Sequence, residues 1–124
     1  MTNNNNLGQH LTLDLIDCEE DKLTNMGFIY DFLLGLPKTI EMQTITLPYV
    51  VKWLDKGTKI EGISGFTMIA ESHISIHTYP ERKSIYADVF SCKGFHINKT
   101  IDIFQKVFNP KRYEKNIIRR GSIA

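Results

Sequence analysis

Residues 63–92 read ISGFTMIAESHISIHTYPERKSIYADVFSC, and this stretch decides the fold. Its apolar residues recur at a period near two, the repeat of a strand with one buried face. Residues 66–70, 74–78 and 85–90 form three successive strands, and the turn at 79–83, which contains Pro80, joins the last two into a meander. Phe66, Met68 and Ala70 fall on one side of the first strand and Thr67 and Ile69 on the other, so neither face is uniformly polar. Histidines, hydroxyls and a carboxylate crowd the segment from Glu71 to Thr78. Polar groups inside an otherwise apolar strand cost free energy unless they are paired, which points to chemistry there.

Towards the N-terminus, Asp55, Lys56 and Gly57 supply a turn, and Gly62 and Gly65 permit backbone shapes that other residues resist. Residues 39–51 hold a strand or two, with Pro48 restricting any strand there to an edge or a break. Before them Met26, Ile29, Leu33 and Leu36 make one apolar helical stripe, widened by Phe32. Thr24 or Asn25 caps its start, and Gly35 and Pro37 end it. Leu11, Leu13 and Leu15 alternate with Thr12 and Asp14 as a first strand, and residues 1–6 read as a disordered asparagine-rich tail. Towards the C-terminus, a helix from Asn98 buries Ile101, Phe104, Val107 and Phe108 and stops at Asn109-Pro110. A last strand spans 113–118, followed by an exposed basic tail, Arg119-Arg120-Gly121.

Two amphipathic helices and about six strands predict an α+β two-layer sandwich, a largely antiparallel sheet with both helices on one face. At 124 residues the chain suits a single domain spanning 1–124. A net charge of +1 argues against nucleic acid or an anionic membrane as partner, and no apolar run has the length of a bilayer span. The start of the chain lacks a secretory pattern, so a cytoplasmic protein is expected. There Cys18 and Cys92 should be free thiols. His73 and His77 share a strand face, but without a cysteine pair or a helical two-histidine motif a metal site ranks low.

The block Ala70-Glu71-Ser72-His73-Ile74-Ser75-Ile76-His77-Thr78, with Tyr79-Pro80-Glu81 and Asp88-Val89-Phe90-Ser91-Cys92, resembles the signature of the prokaryotic S-adenosylmethionine decarboxylase proenzymes. Gly8-Gln9-His10-Leu11, Pro110-Lys111-Arg112 and Arg120-Gly121 extend that resemblance over nearly the whole chain. It implies a self-processing enzyme cut between Glu71 and Ser72 into a β chain, 1–71, and an α chain, 72–124. Ser72 would become a pyruvoyl group, the covalent cofactor that holds the substrate amine as a Schiff base. The resemblance further implies His77 as proton acceptor in processing, Ser64 as support for processing, Cys92 as proton donor in catalysis, and Glu81 as binder of the substrate ribose. It also implies a homodimer of processed protomers.

That chemistry is coherent. Removing carbon dioxide from an α-amino acid leaves an electron pair that only an electron-withdrawing carbonyl cofactor delocalises well. Making the carbonyl from a serine of the chain removes any need for a phosphate cradle, and no glycine-rich phosphate loop is present. The serine hydroxyl would attack the Glu71 carbonyl, and a base would then take the Ser72 α-proton so that the Glu71 carboxylate is expelled. One geometric tension follows from parity. Residues 72 and 77 point to opposite faces of a regular strand, so a turn, bulge or strained peptide is expected at Glu71-Ser72. Arginine or ornithine is the alternative substrate on such a scaffold, and a binding domain that never processes is the non-enzymatic alternative.

Overall fold

A computed structural model of the chain describes residues 8–57 and 59–121. The segment read as a disordered tail lies outside the described residues. Three of the strands form the expected meander: β3 (Glu61–Ile69), β4 (Ser72–Tyr79) and β5 (Ser84–Ser91). The first strand, β1 (Gly8–Ile16), pairs with β5 on one side and with β6 (Arg112–Arg120) on the other, while β2 (Tyr49–Leu54) closes the opposite edge. The order is β2-β3-β4-β5-β1-β6, and every neighbouring pair is antiparallel. Pro48 immediately precedes β2, on an edge that tolerates its missing donor.

The alternation fixes one apolar face. Leu11, Leu13 and Leu15 of β1, Ile74 and Ile76 of β4, and Ile85, Ala87 and Val89 of β5 are buried against the helices. Helix α1 (Glu20–Leu23) is one short turn, and α2 (Met26–Thr39) starts where the Asn25 side chain accepts the Phe28 amide at 3.0 Å. Ile29, Leu33 and Leu36 of α2 are buried in the same core as Ile101, Phe104 and Phe108 of α3 (Ile97–Phe108). Phe32 links the two helices, its ring centroid 5.0 Å from those of both Phe104 and Phe108 in edge contacts. Asn109, at φ 48°, ends α3 in the left-handed conformation that asparagine tolerates.

Three local expectations change. Helix α2 passes Gly35 and Pro37 and runs to Thr39. Proline there removes only its own donor in the last turn, and the Leu36 and Pro37 carbonyls are met by the amides of Ile40 and Met42 at 3.1 and 2.8 Å. The basic tail is strand, because β6 continues to Arg120, whose guanidinium sits 4.8 Å from the Phe90 ring centroid. Gly62 and Gly65 are needed for close approach rather than for unusual dihedrals. A Cβ on Gly62 would lie 2.4 Å from the Trp53 ring, and one on Gly65 would lie 2.8 Å from a Leu33 methyl.

Among the described residues, no helix covers the other face of the sheet. Tyr49, Phe66, Met68 and Ile118 expose large apolar surface there, the last three at 45%, 46% and 49%. Among them sits a polar group built on the pair His10–Asp88, whose Nε2 and Oδ1 are 3.0 Å apart. Ser75 Oγ donates to the other oxygen of Asp88 at 3.5 Å.

Candidate active site

The β3–β4 connection is two residues long, since Ile69 pairs directly with Ser72 across Ala70 and Glu71. So short a reversal requires a left-handed residue, and Glu71 supplies it at φ 64°. A side chain other than glycine, asparagine or aspartate in that conformation is strained by order 1 kcal/mol. The strain expected at the Glu71–Ser72 peptide is therefore present. It resides in the turn, and Ser72 itself is the first residue of a regular strand.

Being in register with Ile74 and Ile76, Ser72 faces the helical side of the sheet. On β5 its partner is Ser91, so Cys92 is one residue beyond the serine's own neighbour. Glu71, Ser72, Ser91 and Cys92 line one cavity of about 630 Å³. Its remaining wall is Ile69 and Ala70 ahead of the turn, residues 40–43 beyond the end of α2, and 93–96 ahead of α3. Cys92 is exposed on the wall of that space. The cavity has room for a small substrate, with Ser72 half-buried in its wall and Cys92 exposed on it.

Ser64 and His77 are brought together elsewhere. They are register partners on β3 and β4, and Ser64 Oγ shares a 2.8 Å hydrogen bond with His77 Nδ1. Both sit on the open face, in a second cavity of about 430 Å³ that Tyr49, Val51, Phe66, His73 and Ser75 also line. Five strand rises, about 17 Å, separate His77 from Ser72 along β4, and the two side chains point to opposite faces. Glu81 is farther still, in the 3₁₀ turn Pro80–Arg82 at the other end of β4, its carboxylate 3.8 Å from Arg82 Nε. The expected set thus divides in two: Glu71, Ser72 and Cys92 at one end of the sheet, and Ser64, His77 and Glu81 towards the other.

Three residues at the first cavity carried no role in the sequence. His96 Nε2 lies 3.5 Å from Glu41 Oε1, spanning the two loops that wall the cavity, and Ser91 Oγ accepts the Lys93 amide at 3.1 Å. No spacing rule could have found them, because only the β4–β5 register places residue 91 beside residue 72. His73 stacks at a tilt on Phe90, 5.6 Å between centroids, with His10 at its edge. Among the described residues, no three histidine, cysteine, aspartate or glutamate side chains converge as a metal site.

Two groups have displaced titrations. Burial, helped by the charge of Asp17, pushes the Cys18 thiol up to about 12, so this thiol is inert near neutrality. Asp14, on the open face, is raised by desolvation first and then by the charges of Glu114 and Asp88.

Comparison with known proteins places this geometry in context. The sequence profile of the family described as S-adenosylmethionine decarboxylase matches residues 9–121. An S-adenosylmethionine decarboxylase proenzyme of Clostridium botulinum is 32% identical over 117 residues, 94% of this chain and 96% of that protein. One from Methanococcus maripaludis is 34% identical over 121 residues, 94% of this chain and 92% of that protein. The crystal structure of the adenosylmethionine decarboxylase from Aquifex aeolicus superposes with a TM-score of 0.81 at 28% identity, covering 96% of this chain and 94% of that one.

Proposed function

The chain belongs to the S-adenosylmethionine decarboxylase family, and from that membership we propose that it decarboxylates S-adenosylmethionine after cutting itself between Glu71 and Ser72. The observation that carries the reading is the juxtaposition of a left-handed Glu71, the strand-leading Ser72 and the exposed Cys92 around one cavity. Arginine and ornithine are not favoured as substrates, since the matched relatives are named for S-adenosylmethionine.

In processing, the Ser72 hydroxyl attacks the Glu71 carbonyl and the peptide becomes an ester. His77, held at Nδ1 by Ser64, accepts the α-proton of Ser72, and the Glu71 carboxylate leaves. Loss of ammonia by hydrolysis gives the pyruvoyl group at the start of chain 72–124, which supplies the electron sink for decarboxylation. In turnover, Cys92 delivers the proton that replaces carbon dioxide, from the wall of the same cavity that residue 72 lines.

The separation of the two half-sets supports an assembly. Within one chain His77 and Glu81 do not reach Ser72. A second copy packed by its open face, with its strands reversed relative to the first, would carry Ser64, His77 and Glu81 of one protomer towards Ser72 and Cys92 of the other. The exposed Phe66 and Met68 supply apolar contact for that packing, and a two-fold isologous dimer is the usual closed arrangement. We place the enzyme in the cytoplasm on the strength of its exposed free thiol. No helix among the described residues is long and apolar enough to cross a membrane.

Mass spectrometry of the purified protein tests the cut, with chains 1–71 and 72–124 expected. Release of labelled carbon dioxide from S-adenosylmethionine, but not from arginine or ornithine, tests the substrate. An uncut chain after long incubation would remove the enzymatic reading.

A further inference from the structure

We infer that Gln9 is a positioning residue for Cys92, acting through the loop that carries the thiol. Cys92 opens the segment that leaves β5 and runs to α3. Gln9 is the register partner of Ser91 on β1, so its side chain lies at the base of this loop. Its Oε1 accepts the Phe95 amide at 3.2 Å across 86 residues of sequence. A Cβ on Gly94 would come 3.4 Å from that same oxygen, so loop and amide are closely fitted. Ser91 Oγ accepts the Lys93 amide at 3.1 Å. Cys92 is exposed; the Ser91–Lys93 bond spans it, and the Phe95 amide held by Gln9 follows three residues on, so that among the described residues Gln9 ties the loop to a strand outside its own.

The inference rests on Cys92 being the proton donor, and it has a product-level consequence. Were residue 72 a ketone condensed with the substrate amine with loss of water, the electron pair left by carbon dioxide would be shared between the substrate α-carbon and the former ketone carbon. A proton delivered to the first, followed by water, gives the product amine and returns the carbonyl. A proton delivered to the second, followed by water, turns the substrate carbon into an aldehyde and leaves an alanine at the head of chain 72–124. The thiol's position decides between the two carbons.

The test compares processed wild type, Cys92→Ala, Gln9→Ala, Gln9→Asn and Gln9→Glu. Each is turned over on S-adenosylmethionine, and N-terminal alanine is counted per carbon dioxide released, by Edman degradation, to which a pyruvoyl-capped chain is blind. Gln9→Ala should raise the alanine fraction roughly two- to tenfold, the range of one hydrogen bond. Gln9→Asn, which keeps the amide but withdraws its reach, should behave alike if the alanine variant fails to fold. Gln9→Glu, which keeps an acceptor at full length, should restore the wild-type ratio. In the uncut Ser72→Ala chain, Gln9→Asn should speed hydrogen exchange at the Phe95 amide. Slower turnover of the Gln9 variants at an unchanged alanine fraction would overturn the inference and leave Cys92 in place. An unchanged fraction in Cys92→Ala would instead overturn the donor assignment, and the inference with it.

Discussion

Ser64 Oγ lies 2.8 Å from His77 Nδ1 on the open face of the sheet, while the side chain of Ser72, on the same β4 strand as His77, faces the helices. The base and supporting hydroxyl proposed for processing are therefore assembled apart from the Glu71–Ser72 bond. Ser72→Ala should abolish the cut, since no hydroxyl remains to attack. His77→Ala should leave the attack possible but slow elimination by about 10²–10⁴, the contribution of one positioned base. An ester should then accumulate, and hydroxylamine should split the chain at residue 71, with mass spectrometry finding a hydroxamate on Glu71. A His77→Ala chain that cuts at the normal rate would remove His77 from processing.

The two cysteines should separate under alkylation. Cys92 is exposed, whereas Cys18 is 4% exposed and its thiol is raised to about 12 by burial. Iodoacetamide at neutral pH should label one thiol in the folded chain, Cys92, and both in denaturant. The raised Cys18 value also has a sign. Folded protein holds that proton more tightly than unfolded protein does, so stability is intact below the reference value of 9.0 and falls as pH climbs from there towards about 12. Denaturant midpoints measured across that range should decline, and the decline should shrink in Cys18→Ala.

The alternation legible in the sequence sufficed for the sheet, its meander and the two packed helices, because burial of one face imposes a period that register slips would destroy. Pro37 misled because the cost of proline depends on where it falls in a helix, and a last turn forgives it. The division of the site was half legible. Parity alone separates residue 72 from residue 77, but the meeting of Ser72 with Ser91 and Cys92 depends on a register set by two turns, and the loop anchors at Gln9 and Glu41 depend on long-range packing.

Asp14 offers a stability test on the open face. Its carboxyl is raised by desolvation and by Glu114 and Asp88, so ionisation at neutral pH opposes folding. The folded state binds the proton more tightly, and stability is lost as pH rises above the unfolded value of 3.8. Asp14→Asn should raise stability at pH 7 by roughly a few tenths of a kcal/mol, the scale of partly exposed charge interactions, read as a higher melting temperature. The gain should vanish at pH 3, where aspartate is largely protonated in both states. A loss of stability at pH 7 would show that the charge is compensated.

Gly62 lies under the Trp53 ring, where a Cβ would come within 2.4 Å of the indole and 2.8 Å of the Thr78 carbonyl. Neither neighbour can yield cheaply, one being a large ring and the other backbone. Gly62→Ala should therefore cost about 1–3 kcal/mol, the range for overpacking, read as a shifted urea midpoint with unchanged slope. A neutral effect would mean that Trp53 swings away freely from the edge of the sheet.

Assembly can be tested through the site itself. If the base comes from a second copy, the chain that carries an intact Ser72 is cut by the His77 of its partner. Ser72→Ala and His77→Ala chains, each uncut or slow alone, should complement when expressed together, and only the His77→Ala chain should be cut. A tag of different mass on each identifies which one. Adding Phe66→Glu to both chains should remove the complementation, because charge would replace exposed apolar surface on the face proposed to join two copies. Sedimentation should then show a monomer. Complementation that survives the glutamate would place the contact on another surface. Cutting confined to chains that hold both Ser72 and His77 would mean that the β3–β4 turn moves to meet its own base.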